Sequence, residues 1–141
     1  MFRVLVPIDD NEDRARRQAS FVASLPNAHE EVEVHLLFVF TDGTRSEELP
    51  EELRRFNSAE RVASVRRVEK LLEDTGVDYH LLEESGEAAG DIIDDAEELN
   101  VDLIVLGGRK RSPTGKVIFG SVTQEVLLNT DRPVTVTGAS D

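Results

Sequence analysis

Short runs rich in Val, Ile and Leu alternate along this chain with longer amphipathic segments, and no other feature restricts the possible fold as strongly. Strand-like runs separated by helical crossovers are typical of a parallel sheet covered by helices. Residues 36–40 (Leu-Leu-Phe-Val-Phe) are apolar at every position, as expected for a strand that is buried on both faces. The pattern predicts five strands, at about 3–8, 32–40, 77–82, 102–107 and 133–137.

Four amphipathic segments connect these strands, and their apolar residues recur at helical spacing. They predict helices at about 12–25, 58–74 and 85–100, with a short fourth helix that ends near 129, and Gly76 suits the C-cap of the second. Right-handed crossovers then favour an open, Rossmann-like α/β sheet of order 3-2-1-4-5 with helices on both faces. In that order the winding reverses between strands one and four. A ligand crevice is therefore expected beside Asp9 and Gly107.

The composition of the 141 residues fits one soluble domain, 1–141, without a linker. Cys is absent, which excludes disulfides, thiolate catalysis and Cys-ligated metals. Three histidines share no ligand spacing, so no transition-metal site is expected. No apolar run approaches the roughly 18 residues of a membrane span, and Pro7 and two acids interrupt the N-terminal run. We expect a cytoplasmic protein with no membrane partner.

Charge limits the possible partners further. The chain has 16 basic and 29 acidic residues, a formal net charge of -13, so nucleic acid is not an expected partner. Self-repulsion of this size is screened in molar salt, where the Debye length is roughly 3 Å. The composition resembles that of halophilic proteins from salt-rich cytosols; the alternative is an ordinary acidic soluble protein.

The segment 103–124 reverses this acidic bias, because it has four basic residues and no acidic one: Arg109, Lys110, Arg111 and Lys116. It ends at Gly120-Ser121, where Ser121-Val-Thr-Gln124 predicts a capping box with Ser121 as the N-cap. A helix N-terminus after a glycine is suited to an anion. The spacing matches neither a Walker A loop nor a dinucleotide glycine turn. The segment predicts a site for a phosphate-bearing ligand; alternatively, its basic residues form a solvated loop that pairs with neighbouring acids.

Five sequence stretches together resemble the universal stress protein family, and the similarity spans essentially the whole chain. They are Val-Pro-Ile-Asp9, the second predicted strand (32–40), Asp102-Leu-Ile-Val-Leu-Gly107, Gly120-Ser121-Val122 and Arg132-Pro133-Val134. The ATP-binding branch of that family has Gly, two residues, Gly, nine residues, then Gly followed by Ser or Thr. Gly107 and Gly120-Ser121 occupy the outer positions of this motif, whereas Lys110 occupies the second glycine position.

The resemblance implies an adenine nucleotide, ATP with or without Mg²⁺, as the ligand. It places Asp9 at the adenosine and the backbone of Val39 beside the adenine. The alternative for Asp9 is that it is only the turn residue that ends the first strand. The resemblance also places Gly107, Gly120, Ser121 and Val122 at the ribose and phosphates. With Pro7 and the basic residues Arg109 and Lys110 added, the full set of candidate binding residues is Pro7, Asp9, Val39, Gly107, Arg109, Lys110, Gly120, Ser121 and Val122. Members of the family commonly dimerise through the last strand, so the resemblance also implies a homodimer.

Three functions follow from these observations. The first is an ATP-binding, dimeric sensor or interaction module of the stress response. The second is a slow nucleotide hydrolase in which Arg109 or Lys110 stabilises phosphoryl charge and Asp9 helps to hold magnesium; no dedicated base is identifiable, so at most a weak ATPase is expected. The third is a regulatory dimer that binds no nucleotide, and Lys110 at the glycine position keeps it open.

Overall fold

The computed structural model describes residues 1–40, 62–108 and 119–138. Its strands are β1 (Phe2–Ile8), β2 (Val32–Phe40), β3 (Asp78–Ser85), β4 (Leu103–Gly107) and β5 (Val134–Thr137). Its helices are α1 (Glu12–Ala23), α2 (Ala28–Glu31), α3 (Ala63–Thr75), α4 (Ala88–Glu98) and α5 (Ser121–Asn129). All strand pairs are parallel, in the order β3-β2-β1-β4-β5. The predicted sheet order and fold class are confirmed.

Two apolar cores lie on opposite faces of the sheet. Val4 and Val6 of β1 belong to the core that also includes Val22 of α1 and residues of α3. Leu5, between them, faces the other core, which includes Ile92 of α4 and residues of α5. Successive strand side chains alternate between faces, so a strand covered on both sides is apolar throughout. This explains the apolar run in β2, whose side chains are divided between the two cores.

Several element boundaries differ from the predicted ones. α1 ends at Ala23 and is followed by α2, a single turn that the sequence did not predict; it begins after Asn27, whose φ is +54°. β3 runs three residues further than predicted, to Ser85, so α4 begins only at Ala88. The C-cap at Gly76 is confirmed, with φ +74° and its N–H directed to the carbonyls of Leu72 and Glu73. The first residues predicted for this second helix, 58–61, lie outside the described ranges.

The turn between β1 and α1 places the first turn of α1 beside the strand end. The side chain of Asn11, the N-cap, accepts a 2.8 Å hydrogen bond from the Arg14 backbone N–H. Oδ1 of Asp9 accepts a 3.0 Å hydrogen bond from the Asn11 N–H. Within the three described ranges, no helix is long and apolar enough to cross a membrane.

Candidate functional site

A crevice opens where β1 and β4 separate. Only two residue pairs join these strands, Val4 with Leu103 and Leu5 with Ile104. Continuing that register by two residues would place Pro7 opposite Leu106, where a parallel ladder needs an N–H that proline does not have. The predicted position of the crevice, at the point where the winding reverses, is consistent with this separation.

The buried side chain of Gln18, from α1, bridges the two strands at this point. Its amide nitrogen donates to the carbonyl oxygen of Pro7 at 2.6 Å and to that of Val105 at 3.0 Å. Both carbonyls are therefore satisfied without continuing the ladder, and the strands diverge without leaving these two acceptors unpaired.

The crevice widens into a cleft of about 470 Å³ at the carboxyl end of the sheet. The ends of β1, β2 and β4 and the N-terminal turns of α1, α4 and α5 surround it. Residues from six elements and their connections line it: Pro7, Ile8, Asp9, Asp10, Asn11, Arg14, Gln18, Phe38, Val39, Ala88, Ile92, Leu106, Gly107, Gly120, Val122 and Thr123. Six of the predicted site residues are among them, namely Pro7, Asp9, Val39, Gly107, Gly120 and Val122.

Apolar residues form the wall of the cleft on the β2 side. Val39 stands at the end of β2, and Ala88 and Ile92 lie in the first turns of α4. Ile92 packs in the core beneath, so this wall is anchored to the sheet. A flat, largely apolar group is the kind of ligand part that such a wall accommodates.

Asp9 and Arg14 form an ion pair in the cleft. Nη1 of Arg14 donates to Oδ2 of Asp9 in an ion pair, and Nε of Arg14 donates to the Gly108 carbonyl oxygen at 3.3 Å. The backbone carbonyl of Asp9 accepts a 2.6 Å hydrogen bond from the buried hydroxyl of Ser64. Asp9 thus accepts hydrogen bonds from three residues, Arg14, Asn11 and Ser64, and its carboxylate positions Arg14.

Arg14 and Gln18 line this cleft, and neither is among the site residues predicted from the sequence. For Arg14 one local signal was available. The first turn of a helix favours acidic side chains, as at Glu12 and Asp13, and Arg14 in that turn is opposed by the helix dipole. A basic residue at this position, directly after the strand that ends at the crevice, is an exception that points to a role outside the helix.

Gly107, at the end of β4, lies directly under the Arg14 side chain. A Cβ at position 107 would lie 2.7 Å from Cδ of Arg14, closer still to its Cγ, and 2.9 Å from Oε1 of Gln18. Real Cβ atoms do not approach neighbours this closely. Glycine is therefore required here for Arg14 and Gln18 to occupy their observed positions.

The N-terminus of α5 forms the wall on the β4 side, one residue earlier than predicted. Gly120 is the N-cap, and Ser121 is the first helical residue, so the predicted capping box with Ser121 as cap is wrong. Gln124 instead directs Nε2 to the Phe119 carbonyl, at 3.4 Å. The side chain of Ser121 is exposed and is not among the residues lining the cleft. No described side chain caps this helix, which leaves its first backbone N–H groups for other acceptors.

The basic residues of the predicted phosphate segment, Arg109, Lys110, Arg111 and Lys116, lie outside the described residues. The described part of the chain contains no group of three or more His, Asp or Glu side chains arranged to hold a metal ion. His35 and His80 do stack on neighbouring strands, with ring centroids 5.4 Å apart, but neither lines the cleft.

Comparisons with a family model and with curated relatives both match this chain to universal stress proteins. The model of the universal stress protein family matches residues 1–138. The universal stress protein Sll1654 of Synechocystis is 31% identical over 138 residues, which cover 96% of this chain and 85% of that protein. With three further curated relatives the match is shorter, and the chain spans 58%, 43% and 56% of their lengths.

Solved structures extend the comparison to the fold. A universal stress protein from Archaeoglobus fulgidus is 30% identical, with a TM-score of 0.73 and coverage of 98% of this chain and 99% of that chain. A universal stress protein from the same organism in complex with dAMP is 25% identical, with a TM-score of 0.69 and coverage of 98% of both chains. The family model matches nearly the whole length of this chain, and the chain shares the fold of the Archaeoglobus fulgidus structure. This chain therefore belongs to the universal stress protein family.

Proposed function

We propose that the protein binds an adenine nucleotide, ATP with or without Mg²⁺, in the cleft between β1 and β4, and that it acts as a dimeric sensor or interaction module in a stress response. The observation that carries the proposal is the cleft itself. It combines an apolar wall, a charged pair and an uncapped helix N-terminus at the carboxyl end of the sheet. Open α/β sheets bind ligands at this position.

The sheet order sets the direction in which a nucleotide would lie. The apolar wall with Val39 is at β2, whereas Gly107 and Gly120 are at β4 and the start of α5. The two walls are separated by two strand spacings, about 10 Å. The adenine is proposed to lie beside Val39, and the ribose and phosphates towards Gly107, Gly120 and Val122.

The N-terminal end of α5 is the proposed phosphate contact. Val122 and Thr123 line the cleft within the first turn, and no described side chain caps that turn. Free N–H groups and the helix dipole favour an anion there. The dAMP complex of the Archaeoglobus fulgidus relative supports the ligand class. Asp10, which also lines the cleft, offers a carboxylate for a magnesium ion carried by the phosphates.

The experiment is a calorimetric titration with adenosine and with ATP, each with and without Mg²⁺. Val122→Glu places a carboxylate in the proposed phosphate site and should weaken ATP binding by about tenfold or more, with a smaller effect on adenosine. Gln124→Glu adds the same charge to the exposed side of the same helix and serves as the control. Absence of ATP binding at millimolar concentration would overturn the proposal and favour the regulatory dimer that binds no nucleotide. Phosphate release that Val122→Glu abolishes would indicate a hydrolase.

Dimerisation is proposed to occur through β5. The carbonyls of Pro133 and Thr137 accept hydrogen bonds from Ile104 and Gly108, so odd-numbered residues of β5 face β4. The backbone groups of Val134 and Val136 therefore point to the other edge, which no described strand covers. An open edge of this kind is a template for a second strand.

Sedimentation velocity over a range of protein concentrations tests the dimer. Val136→Pro removes one outward N–H without removing a bond to β4, and it should shift the protein towards the monomer. Val136→Thr keeps that N–H and is the matched control. A wild-type protein that stays monomeric at high concentration, or a proline variant that dimerises like the control, would contradict the proposed interface.

A further inference from the structure

Arg14 is the only cationic side chain among the described residues that line the cleft. It extends from the first turn of α1, and its side chain is 19% exposed. Two acids, Asp9 and Asp10, line the same cleft. Without Arg14 the described lining would have two negative charges and no positive one, and it would repel a phosphate. Among the described lining side chains, Arg14 is therefore the one whose charge attracts an anion, and it acts beside the uncapped N-terminus of α5.

The guanidinium is fixed in place before any ligand arrives. Asp9 and the Gly108 carbonyl take two of its five N–H donors, and its aliphatic stem lies over Gly107. An arginine ordered in advance loses less side-chain entropy when it binds, and its planar group presents paired donors to phosphate oxygens. These contacts are those of a preorganised binding residue, whereas an exposed surface arginine would be free to rotate.

We propose that Arg14 binds the phosphates of the ligand, that Asp9 acts mainly by positioning Arg14, and that Gly107 is glycine because the Arg14 stem passes over it. This inference deepens the proposed nucleotide binding and rests on it. In this proposal Arg14 supplies the positive charge, Asp9 holds Arg14 in position, and Gly107 leaves the space that the Arg14 side chain needs.

The first experiment compares adenosine, ATP and inorganic tripolyphosphate on the full chain and on Arg14→Met. The variant should lose about tenfold or more in affinity for ATP and tripolyphosphate while adenosine changes little, because only the phosphates meet the guanidinium. Arg67→Met removes the same charge from α3, where Arg67 lies 3.9 Å from Glu12 and outside the cleft, and should leave all three affinities unchanged. Arg14→Lys keeps the charge without the planar fork and should recover part of the loss.

The second experiment tests the role of Gly107. Gly107→Ala should weaken ATP binding because its Cβ displaces the Arg14 stem. In an Arg14→Ala background the collision with the Arg14 stem is removed and only the close approach to Oε1 of Gln18 remains, so the same glycine substitution should then cost clearly less. This non-additivity is the expected sign of a shared contact. Equal losses in both backgrounds would show that Gly107 does not act through Arg14 and would overturn its assigned role.

The outcomes separate this inference from the proposed function. If adenosine and ATP both bind, and the affinity for each is the same in the wild type and in Arg14→Met, the role of Arg14 is overturned and nucleotide binding stands. If tripolyphosphate binds in a way that depends on Arg14 but adenosine does not bind, the phosphate-binding role of Arg14 is supported and the proposal of an adenine nucleotide as ligand is overturned. If none of the three compounds binds the wild type, both are overturned. Thermal unfolding of each variant shows whether the loss is specific to binding or comes from misfolding.

Discussion

The side-chain amide of Gln18 donates a 3.0 Å hydrogen bond to the carbonyl oxygen of Val105, 87 residues further along the chain. The same nitrogen donates to the carbonyl of Pro7. Gln18 is 1% exposed, so neither carbonyl would find water easily if this amide were removed. A buried polar side chain from α1 thus completes the sheet at the point where β1 and β4 part.

Replacing Gln18 with Met should destabilise the protein. The change keeps the length of the side chain but leaves two buried carbonyls without donors, which costs about 2–3 kcal/mol of unfolding free energy. Gln124→Met makes the same change on the exposed surface of α5 and should stay within about 0.5 kcal/mol of the wild type. Urea unfolding measures both. Equal stability of the two variants would mean that the bridge is not needed to satisfy the strands.

Asp95 should make stability depend on pH. It is 8% exposed, and burial followed by the nearby carboxylates of Glu84, Glu98 and Asp91 raises its pKa to about 6. In the unfolded chain an aspartate has a pKa of about 3.9, so the folded state binds this proton more tightly. The contribution is fully present below about pH 4 and is lost as the pH rises through 6.

Asp95→Asn should therefore be more stable than the wild type at pH 7.5, by an amount on the order of 1 kcal/mol, and should lose that advantage at pH 4. Asp94→Asn removes the charge of the exposed neighbour on the same helix and should show a much smaller change across this range. Unfolding curves at several pH values provide the comparison. An Asp95→Asn variant with the same pH profile as the wild type would contradict a proton held at Asp95.

Two glycines should respond to alanine in opposite directions. Gly76 has φ +74°, a left-handed conformation that costs an alanine roughly 1 kcal/mol. Gly90 lies inside α4, and a Cβ there would meet only the Glu87 carboxyl group, at 3.8 Å. Alanine at 90 should raise the unfolding free energy by about 0.5–1 kcal/mol, because glycine is a poor helix former. Thermal or urea unfolding of the two variants in parallel checks both signs.

Salt should stabilise this protein through its excess of acids. α4 alone has five acidic residues and no basic one, at positions 91, 94, 95, 97 and 98. Raising KCl from 0.1 to 1 M shortens the Debye length from about 10 Å to about 3 Å and should raise the melting temperature. Asp94→Lys reduces the local repulsion and should gain less from salt. A melting temperature that is flat or falls with KCl would favour the interpretation of an ordinary acidic protein.

The fold was predictable because its signals are local. Periodicity in each segment determined the elements, and the right-handed crossover then restricted the sheet order, which placed the crevice beside Asp9 and Gly107. α2 was missed because Asn27 begins a new turn in the left-handed region, a conformation that its neighbours do not signal. The N-cap of α5 was misplaced because Ser121 and Gln124 match a capping box, although the chain begins the helix one residue earlier, at Gly120.

The amino-acid sequence by itself determined the α/β class, the strand order, the end of the sheet where the cleft opens, and six of the residues that line this cleft. Only the tertiary structure decided that Arg14 lies over Gly107, bonded to the Gly108 carbonyl 94 residues away, and that Gln18 joins Pro7 to Val105. The physical reason is that these contacts depend on where side chains of α1 point relative to β4. That direction is set by packing between distant segments, and no local pattern records it.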